Sequence, residues 1–295
     1  MEHATPGLER ISPTAKLIAY FRSFSDIPYA REVASMLDAE TMTRQIHQSE
    51  FDVVTRFFGP FAEARYKCFD PFIRIHRNIL ELAVGASIER GLAIAASGEK
   101  IYIGTDLPDV IREARTLVER ADGKLRPNHY LQPANVLSYE ELEEAIQHFG
   151  PRPEVLILHE GLWMFLSAEE QAVFADNVRR ILERRGGLWV TPDIWDLESN
   201  NRFTEALGPE PSAVLQRIMQ RVAALTGRDI EKNYFHDRSD AVRFFNDRGL
   251  EVERLPMVED LTRIASIKKL WGDREREFYE AGLRLQTVWV MRIRR

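Results

Sequence analysis

The sequence lacks the residue patterns typical of disulfide-linked proteins, metal-binding proteins and enzymes with a nucleophilic side chain. One cysteine, Cys68, among 295 residues leaves no partner for an intramolecular disulfide and fits a reducing compartment. Seven histidines are scattered without the spacing of metal ligands, so no metal site is expected. No Ser-His-Asp or Cys-His arrangement is apparent, which disfavours covalent catalysis by a side-chain nucleophile.

The sequence also lacks long apolar runs and long blocks of like charge. No run is long enough to span a bilayer, and residues 1–9 lack the apolar segment of a secretion signal, so we expect a cytoplasmic protein. The formal net charge is −6, the pI is near 5.8, and the charges are interspersed rather than blocked. These values give no reason to expect nucleic acid or an anionic membrane as a partner, and they leave the oligomeric state open.

Two short segments contain the most informative pattern. Residues 78–84 form an apolar run with one acid, Glu81, and the run ends at Gly85, as where a central parallel strand turns into a helix. A second strand pattern ends at Asp106, 21 residues after Gly85. This is close to the interval at which α/β folds place a ribose-binding carboxylate. Together the segments predict a nucleoside-cofactor site.

The scarcity of glycine in the first turn narrows the choice of cofactor. A dinucleotide site needs several glycines there so that the backbone can approach a pyrophosphate. Gly85 is instead followed by Ala86 and Ser87, and Glu81 would repel a pyrophosphate but could hydrogen-bond an ammonium group. S-adenosylmethionine has a ribose, an adenine and an amino-acid tail without phosphate, so it is the predicted cofactor. The alternative is that Glu81 is a surface acid and Gly85 an ordinary turn residue.

Strand and helix patterns alternate after Asp106. Ser138 with Glu141, and Ser167 with Glu170, have the spacing of helix capping boxes. The expected elements are a helix over 108–121, a strand over 129–131, a helix from 138 to 149, a strand over 154–159, a helix from 167 to about 185, a strand over 188–194 and a last, alternating strand over 285–293. Strands alternating with helices predict parallel order and right-handed crossovers, hence a doubly wound α/β sheet.

Several motifs occur in an order that resembles a known family. They are Ala64-Arg65-Tyr66-Lys67, Glu81 to Gly85, Thr105-Asp106-Leu107-Pro108, Glu160-Gly161-Leu162 and Gly186-Gly187. From about Ser12 to the last strand, the chain resembles the leucine carboxyl methyltransferase family, in particular its bacterial branch of polyketide O-methyltransferases typified by tetracenomycin carboxyl methylation. The resemblance implies a class I S-adenosylmethionine-dependent methyltransferase, whose sheet is mostly parallel with an antiparallel last strand.

The additions to this core also have expected positions. We expect a single domain over 1–295, made of an N-terminal helical cap (1–77), a cofactor-binding core (78–194), a helical lid insertion (195–238) and the C-terminal part of the core (239–295). Ligands of α/β sheets lie outside the carboxyl ends of the strands. Helices added at that edge are therefore expected to cover the cofactor and to select the substrate.

The resemblance implies specific contacts to the nucleoside of the cofactor. Asp106, with Leu107 beside it, would bind the ribose hydroxyls. Asn135 stands where the family usually has an aspartate that accepts from the adenine amino group, and an amide oxygen accepts the same bond. The amide of Val136 would reach the adenine ring.

The implied contacts to the methionine part come from other segments. Gly85 and Glu81 would lie against it, and Glu160 matches a family acid near the amino group. Arg65 and Lys16 match basic residues that hold the carboxylate.

The acceptor is open to more than one interpretation. A carboxylate, with a pKa near 4.3, is ionised at neutral pH and needs no general base, whereas a phenol near 10 needs one. The leading hypothesis is a carboxyl O-methyltransferase acting on a small metabolite or a peptide terminus. The substrate-binding candidates are Arg22, Tyr29, Trp163 and Phe165, of which Phe165 replaces a tyrosine common in the family. The alternatives are a hydroxyl or phenol methyltransferase with His236 as its base, and a cofactor-binding protein without catalysis.

Overall fold

The computed structural model describes residues 12–150, 154–227 and 230–294, so residues 1–11 of the expected N-terminal cap lie outside the described part. Within that part a seven-stranded sheet has the spatial order β3-β2-β1-β4-β5-β7-β6. The strands are β1 Asn78–Leu82, β2 Ile101–Asp106, β3 His129–Pro133, β4 Val155–His159, β5 Gly187–Thr191, β6 Leu250–Pro256 and β7 Thr287–Ile293. β7 runs antiparallel to β5 and β6, and the remaining pairs are parallel. This confirms the predicted class I methyltransferase fold.

Helices cover both faces of the sheet and its carboxyl edge. They are α1 Ser12–Arg22, α2 Ala30–Met36, α3 Ala39–His47, α4 Phe51–Lys67, α5 Asp70–Ile75, α6 Glu89–Ala96, α7 Pro108–Asp122, α8 Tyr139–Ala145, α9 Ala168–Arg185, α10 Leu197–Leu207, α11 Pro209–Thr226, α12 Arg238–Asn246, α13 Ala265–Leu270 and α14 Asp273–Leu285. None of the helices in the described residues is long and apolar enough to cross a membrane.

The central strands are buried on both sides because successive side chains point to opposite faces. In β1, Leu80 packs in one cluster with Phe174 of α9, whereas its neighbour Ile79 packs in another with Phe61 of α4 and Leu283 of α14. The continuous apolar run of the sequence is therefore explained by a sheet with helices on both faces.

The chain order creates a crevice at the carboxyl edge of the sheet. The strands proceed outward from β1 to β3, and β4 then returns to the other side of β1. Ligands of such sheets bind where the strand order reverses. The loops after β1 and β4 thus meet where the sequence predicts the cofactor.

Two groups of helices close this crevice. Residues 23–29 separate α1 from α2, and Tyr29 precedes α2 with φ at 66°. On the other side α11 packs its Val214 and Ile218 against Leu17 and Phe21 of α1. Glu50 forms ion pairs with two residues of α11, Arg217 at 2.5 Å and Arg221 at 2.6 Å. The N-terminal helices and the insertion after β5 therefore form one continuous cover.

Some element bounds differ from the predictions for local reasons. The strand expected over 188–194 ends at Thr191, because Pro192 has no N–H for the sheet and Asp193 turns toward another loop. Ser167 and Glu170 form the complete predicted capping box. Ser138 caps α8, but Glu141 reaches back to the Asn135 amide instead of to Ser138.

Candidate cofactor and acceptor site

A cavity of about 740 Å³ lies at the carboxyl edge of the sheet. Volumes of 300–1,000 Å³ are usual for small-molecule sites. One side is formed by the loops after β1, β2, β3 and β4, and we call this side the strand-end wall. The other side is formed by α1, α3, α4, α10 and α11 with the segment after α11, and we call it the acceptor chamber.

The turn after β1 is shaped by its backbone and not by a glycine cluster. Ala83 and Gly85 have φ of 56° and 57°, a conformation that a non-glycine residue such as Ala83 adopts at some energetic cost. The Gly85 amide donates to Asp106 Oδ2 at 2.8 Å, so it serves a carboxylate of the protein. A Cβ at Gly85 would lie 3.1 Å from the Ala15 Cβ of α1. The turn thus lies directly beneath α1 and holds in place Asp106, the residue predicted to bind the ribose.

Asp106 ends β2 and faces the cavity. Its Oδ1 accepts from the Leu107 amide at 2.7 Å, while Oδ2 accepts from Gly85. Burial raises the pKa of this carboxyl to about 6, and the two backbone hydrogen bonds only partly offset that effect. A carboxylate oxygen has further lone-pair capacity, so both oxygens can still accept from a ligand.

The loop after β3 brings Asn135 and Val136 to the same wall. The Asn135 Oδ1 accepts from the Leu137 amide at 3.0 Å, and the Glu141 carboxylate accepts from the Asn135 amide at 2.7 Å. These bonds fix the loop where an adenine would follow the ribose. The amide oxygen of Asn135 keeps one lone pair for a donor.

Glu160, directly after β4, is the junction of a buried charge network. Its Oε2 lies 2.7 Å from Arg22, and its Oε1 lies 3.4 Å from Arg65. Arg22 also donates to Ser87 Oγ at 2.8 Å, which joins α1 to the loop after β1. Glu89 is fully buried 3.9 Å from Arg22, and burial raises the pKa of its carboxyl. The loops after β1 and β4, the first residue of α6 and the N-terminal helices α1 and α4 are therefore tied together at one point.

Asp193 is the member of this buried charge network that the sequence analysis missed. It is fully buried and accepts from the amides of Gly161 and Leu162, each at 2.9 Å. It also contacts His159 Nδ1 at 3.0 Å and pairs with Arg65. The Arg65 guanidinium holds the pKa of Asp193 well below its usual range despite burial. An acid directly after a strand was the available signal, but the strand was expected to continue to residue 194.

Two predicted cofactor ligands lie outside the described cavity wall. Glu81 is buried behind the turn, where it accepts from Tyr102 at 2.7 Å and from Arg90 at 3.2 Å. It therefore supports the wall from behind, and it is not among the residues of the described lining that the methionine part would contact. Lys16 pairs with Glu113 of α7 at 3.7 Å and faces away from the cavity. The remaining cofactor candidates, Arg65, Gly85, Asp106, Leu107, Asn135, Val136 and Glu160, line the cavity together.

The substrate candidates divide in the same way. Arg22 and Phe165 line the cavity, and both are more than 95% buried. Tyr29 instead packs against the cluster around α6 and α7. Trp163 is 1% exposed within a cage of aromatic rings that includes Trp189. Both lie outside the described lining, because the Trp163 ring fills the core and the partly exposed Tyr29 ring packs against a different cluster.

His236 also lies outside the described lining. Its side chain is 82% exposed, and its Nδ1 lies 3.3 Å from Asp237. A general base must reach the proton that it abstracts. Since this imidazole faces solvent, the geometry gives no support to the predicted role, and the position is better described as a solvated loop histidine.

The acceptor chamber has mainly apolar walls. Its aromatic side chains are Phe21, Phe57, Phe58, Phe61, Trp195, Phe203 and Tyr234. Phe61 of α4 meets Phe203 of α10 edge to face at a centroid distance of 5.6 Å. His47 contributes a polar group, and burial lowers the pKa of its imidazole to about 4, assisted by the Arg221 charge.

Comparison with known proteins identifies relatives by structure alone. No protein-family model and no curated protein sequence matches this chain. A DUF574 family protein from Streptomyces avermitilis is similar over 96% of this chain and 97% of its own, at 15% identity and a TM-score of 0.54. An O-methyltransferase family protein from Burkholderia thailandensis is similar over 89% and 72%, at 12% identity and 0.45. Human N-acetylserotonin methyltransferase in complex with SAM is similar over 91% and 59%, at 12% identity and 0.42. Of these three, the Streptomyces protein supports a shared fold.

Proposed function

We propose that this protein is an S-adenosylmethionine-dependent methyltransferase acting on a small molecule. The observation that carries the proposal is the order of the strand-end wall. Gly85, Asp106, Asn135 and Glu160 lie at or just after the ends of β1, β2, β3 and β4 in turn and line one cavity. The motif resemblance to the leucine carboxyl methyltransferase family supports the same assignment.

The residues present fit this cofactor better than a dinucleotide. The Gly85 amide, which would face a phosphate in a dinucleotide site, is bound to Asp106. Asp106 would accept from the ribose hydroxyls, Asn135 would accept from the adenine amino group, and Arg65 would hold a carboxylate with donors that Asp193 and Glu160 leave free. When bound, the cofactor supplies a methyl group on sulfur that transfers in line to a nucleophile. The protein then contributes mainly position and exclusion of water.

The nature of the acceptor depends on the cations of the cavity. Carboxyl methylation, which the motif resemblance favours, requires a cation or hydrogen-bond donors to meet an ionised acceptor. Within the described lining the two guanidinium groups belong to Arg22 and Arg65. Both contact Glu160, and the remaining donors of Arg65 are those proposed for the carboxylate of the cofactor. A hydroxyl acceptor needs no such cation, but it needs a general base, and the imidazole present in the described lining is that of His47. This observation makes hydroxyl O-methylation the better-supported form of the proposal.

Calorimetric titration tests the proposal directly. S-adenosylmethionine or its demethylated product is expected to bind with a micromolar dissociation constant, about −8 kcal/mol. NADH is the control ligand and is expected to give no heat of binding, since the turn after β1 offers it no phosphate cradle. Tight binding of NADH with no response to S-adenosylmethionine would contradict the proposal.

The affinity for S-adenosylmethionine is expected to fall at acid pH. Ribose hydroxyls donate to the ionised form of Asp106, so binding favours the deprotonated carboxyl, whose pKa in the free protein is about 6. Affinity should be full above about pH 7 and about tenfold weaker at pH 5, one unit below that pKa. Titrations at pH 7.5, 6 and 5 measure the effect. In Asp106→Asn the fall should disappear, and an equal fall in that variant would assign the proton to another group.

A further inference from the structure

The aromatic walls of the acceptor chamber restrict which acceptor molecules can bind there. Phe57 and Phe61 of α4 stack with centroids 4.7 Å apart, and Tyr279 of α14 packs edge to face on Phe57 at 5.3 Å. Phe203 of α10 contacts both Phe61 and Trp195, and Trp195 stacks with Tyr234 at 6.1 Å. Aromatic pairs prefer such edge-to-face and offset arrangements, and a further ring can extend them. The chamber is therefore suited to a molecule with an apolar, aromatic body.

The charges of the described lining restrict the choice further. Arg22 is 3% exposed and bonded to Glu160 and Ser87, and Arg65 is bound to Asp193 and Glu160. His47, the remaining basic group of this lining, is buried beside Arg221. No lysine contributes to the described lining. With the remaining donors of Arg65 assigned to the carboxylate of the cofactor, an anionic acceptor would thus lose its hydration without gaining a free cation.

The cost of desolvation makes the lack of a free cation decide between a charged and an uncharged acceptor. Burying an unpaired ionised carboxylate is far more costly than burying a neutral hydroxyl, which needs a single hydrogen-bond partner. Neutral partners are available in the chamber, including Asn200, Thr204 and Gln216. We propose that the acceptor chamber selects an uncharged, aromatic molecule and discriminates against aromatic carboxylates. This inference rests on the proposed function, because it names the acceptor class of the same cavity.

Paired probes test the selection. 2-Naphthol and 2-naphthoate have the same ring system, but at pH 7.5 a phenolic hydroxyl is neutral and a carboxyl is ionised. Fluorescence titration of each, with S-adenosylhomocysteine present and again without it, is expected to show that 2-naphthol binds at least tenfold more tightly. Equal binding, tighter binding of 2-naphthoate, or binding of neither probe would overturn the proposal.

Two variants locate the probe in the chamber. Met219→Trp narrows the chamber and is expected to weaken 2-naphthol binding at least tenfold, whereas Gln220→Trp, on the same helix but outside the described lining, should leave it unchanged. Thr204→Lys adds a cation to the wall and should raise the affinity for 2-naphthoate severalfold, with Glu205→Lys as its control outside that lining. If the chamber variants behave like their controls, the probe binds elsewhere and the proposal fails.

A separate titration keeps this test distinct from that of the proposed function. S-adenosylhomocysteine affinity and the melting temperature are measured for every variant, and both should stay within experimental error because the strand-end wall is untouched. If the unsubstituted protein does not bind S-adenosylhomocysteine, the proposed function is contradicted. The preference between the two probes in the absence of that ligand would still decide the acceptor class.

Discussion

Replacing Asp106 with alanine is expected to weaken the binding of S-adenosylmethionine at least a hundredfold. The carboxylate would receive both ribose hydroxyls, and each hydrogen bond to a charged group contributes roughly 1.5–3 kcal/mol. Two such bonds amount to about 3–6 kcal/mol, and each 1.4 kcal/mol is a factor of ten. The unliganded protein should lose only a few degrees of melting temperature, because a desolvated carboxylate is removed together with its two backbone hydrogen bonds. Calorimetric titration measures the affinity.

Two further variants make the Asp106 experiment specific. Asp109→Ala removes an exposed acid from the first turn of α7, outside the described cavity lining, and should leave the affinity unchanged. Asp106→Asn keeps one acceptor oxygen and should give an intermediate loss. An unchanged affinity in Asp106→Ala would show that the ribose is held by other groups.

Asp193→Ala is expected to lower the free energy of unfolding by about 3–5 kcal/mol, the cost of removing one partner from a buried ion pair. The change leaves the amides of Gly161 and Leu162 without their acceptor and removes one of the two carboxylates that pair with Arg65. For a protein of this size the melting temperature should fall by roughly 10 °C. Thermal and denaturant unfolding followed by circular dichroism measure both quantities.

The pH dependence separates the charge of Asp193 from its packing. A carboxyl whose pKa is lowered by folding contributes stability that is fully present above its unfolded pKa, near 3.9, and is lost as the pH falls through the folded value. The difference between the original protein and Asp193→Ala should therefore be constant from pH 5 to 8 and shrink only in strong acid. Asp193→Asn retains an oxygen for one amide and should lose less. A melting temperature equal to that of the original protein in both variants would show that Asp193 does not hold this loop.

The sequence predicted the core of the fold because buried parallel strands appear in it as short, continuous apolar runs. The apolar run before Gly85 and the strand ending at Asp106 occupy the expected central positions, with Leu82 and Thr105 adjacent in register. β6 escaped prediction because its face is half exposed and alternates with charges such as Glu251 and Glu253. A strand of that kind resembles a solvated loop until its pairing with β7 is known.

The sequence alone predicted the site best where a residue lies at or just after the end of its strand. Gly85, Asp106 and Glu160 line the cavity because the ends of parallel strands meet at one edge. The position of Glu81 depended on the direction of a side chain, which the network around Arg90 and Tyr102 turns away from the cavity. Partners distant in the chain, such as Arg65 and Asp193, give no signal in sequence spacing. The assignments to cofactor and substrate stay predictions until ligands are measured.

The division of the cavity into two walls has an evolutionary consequence. The strand-end wall is built by loops that the sheet itself holds, whereas the acceptor chamber is built largely by α1, α4, α10 and α11. Natural selection acting on α10 and α11 could therefore alter the choice of acceptor while the nucleoside site is inherited unchanged. Gene duplicates of this protein would be expected to diverge first in the segment after β5, and a laboratory library confined to residues 197–223 should yield new acceptors without sacrificing the cofactor.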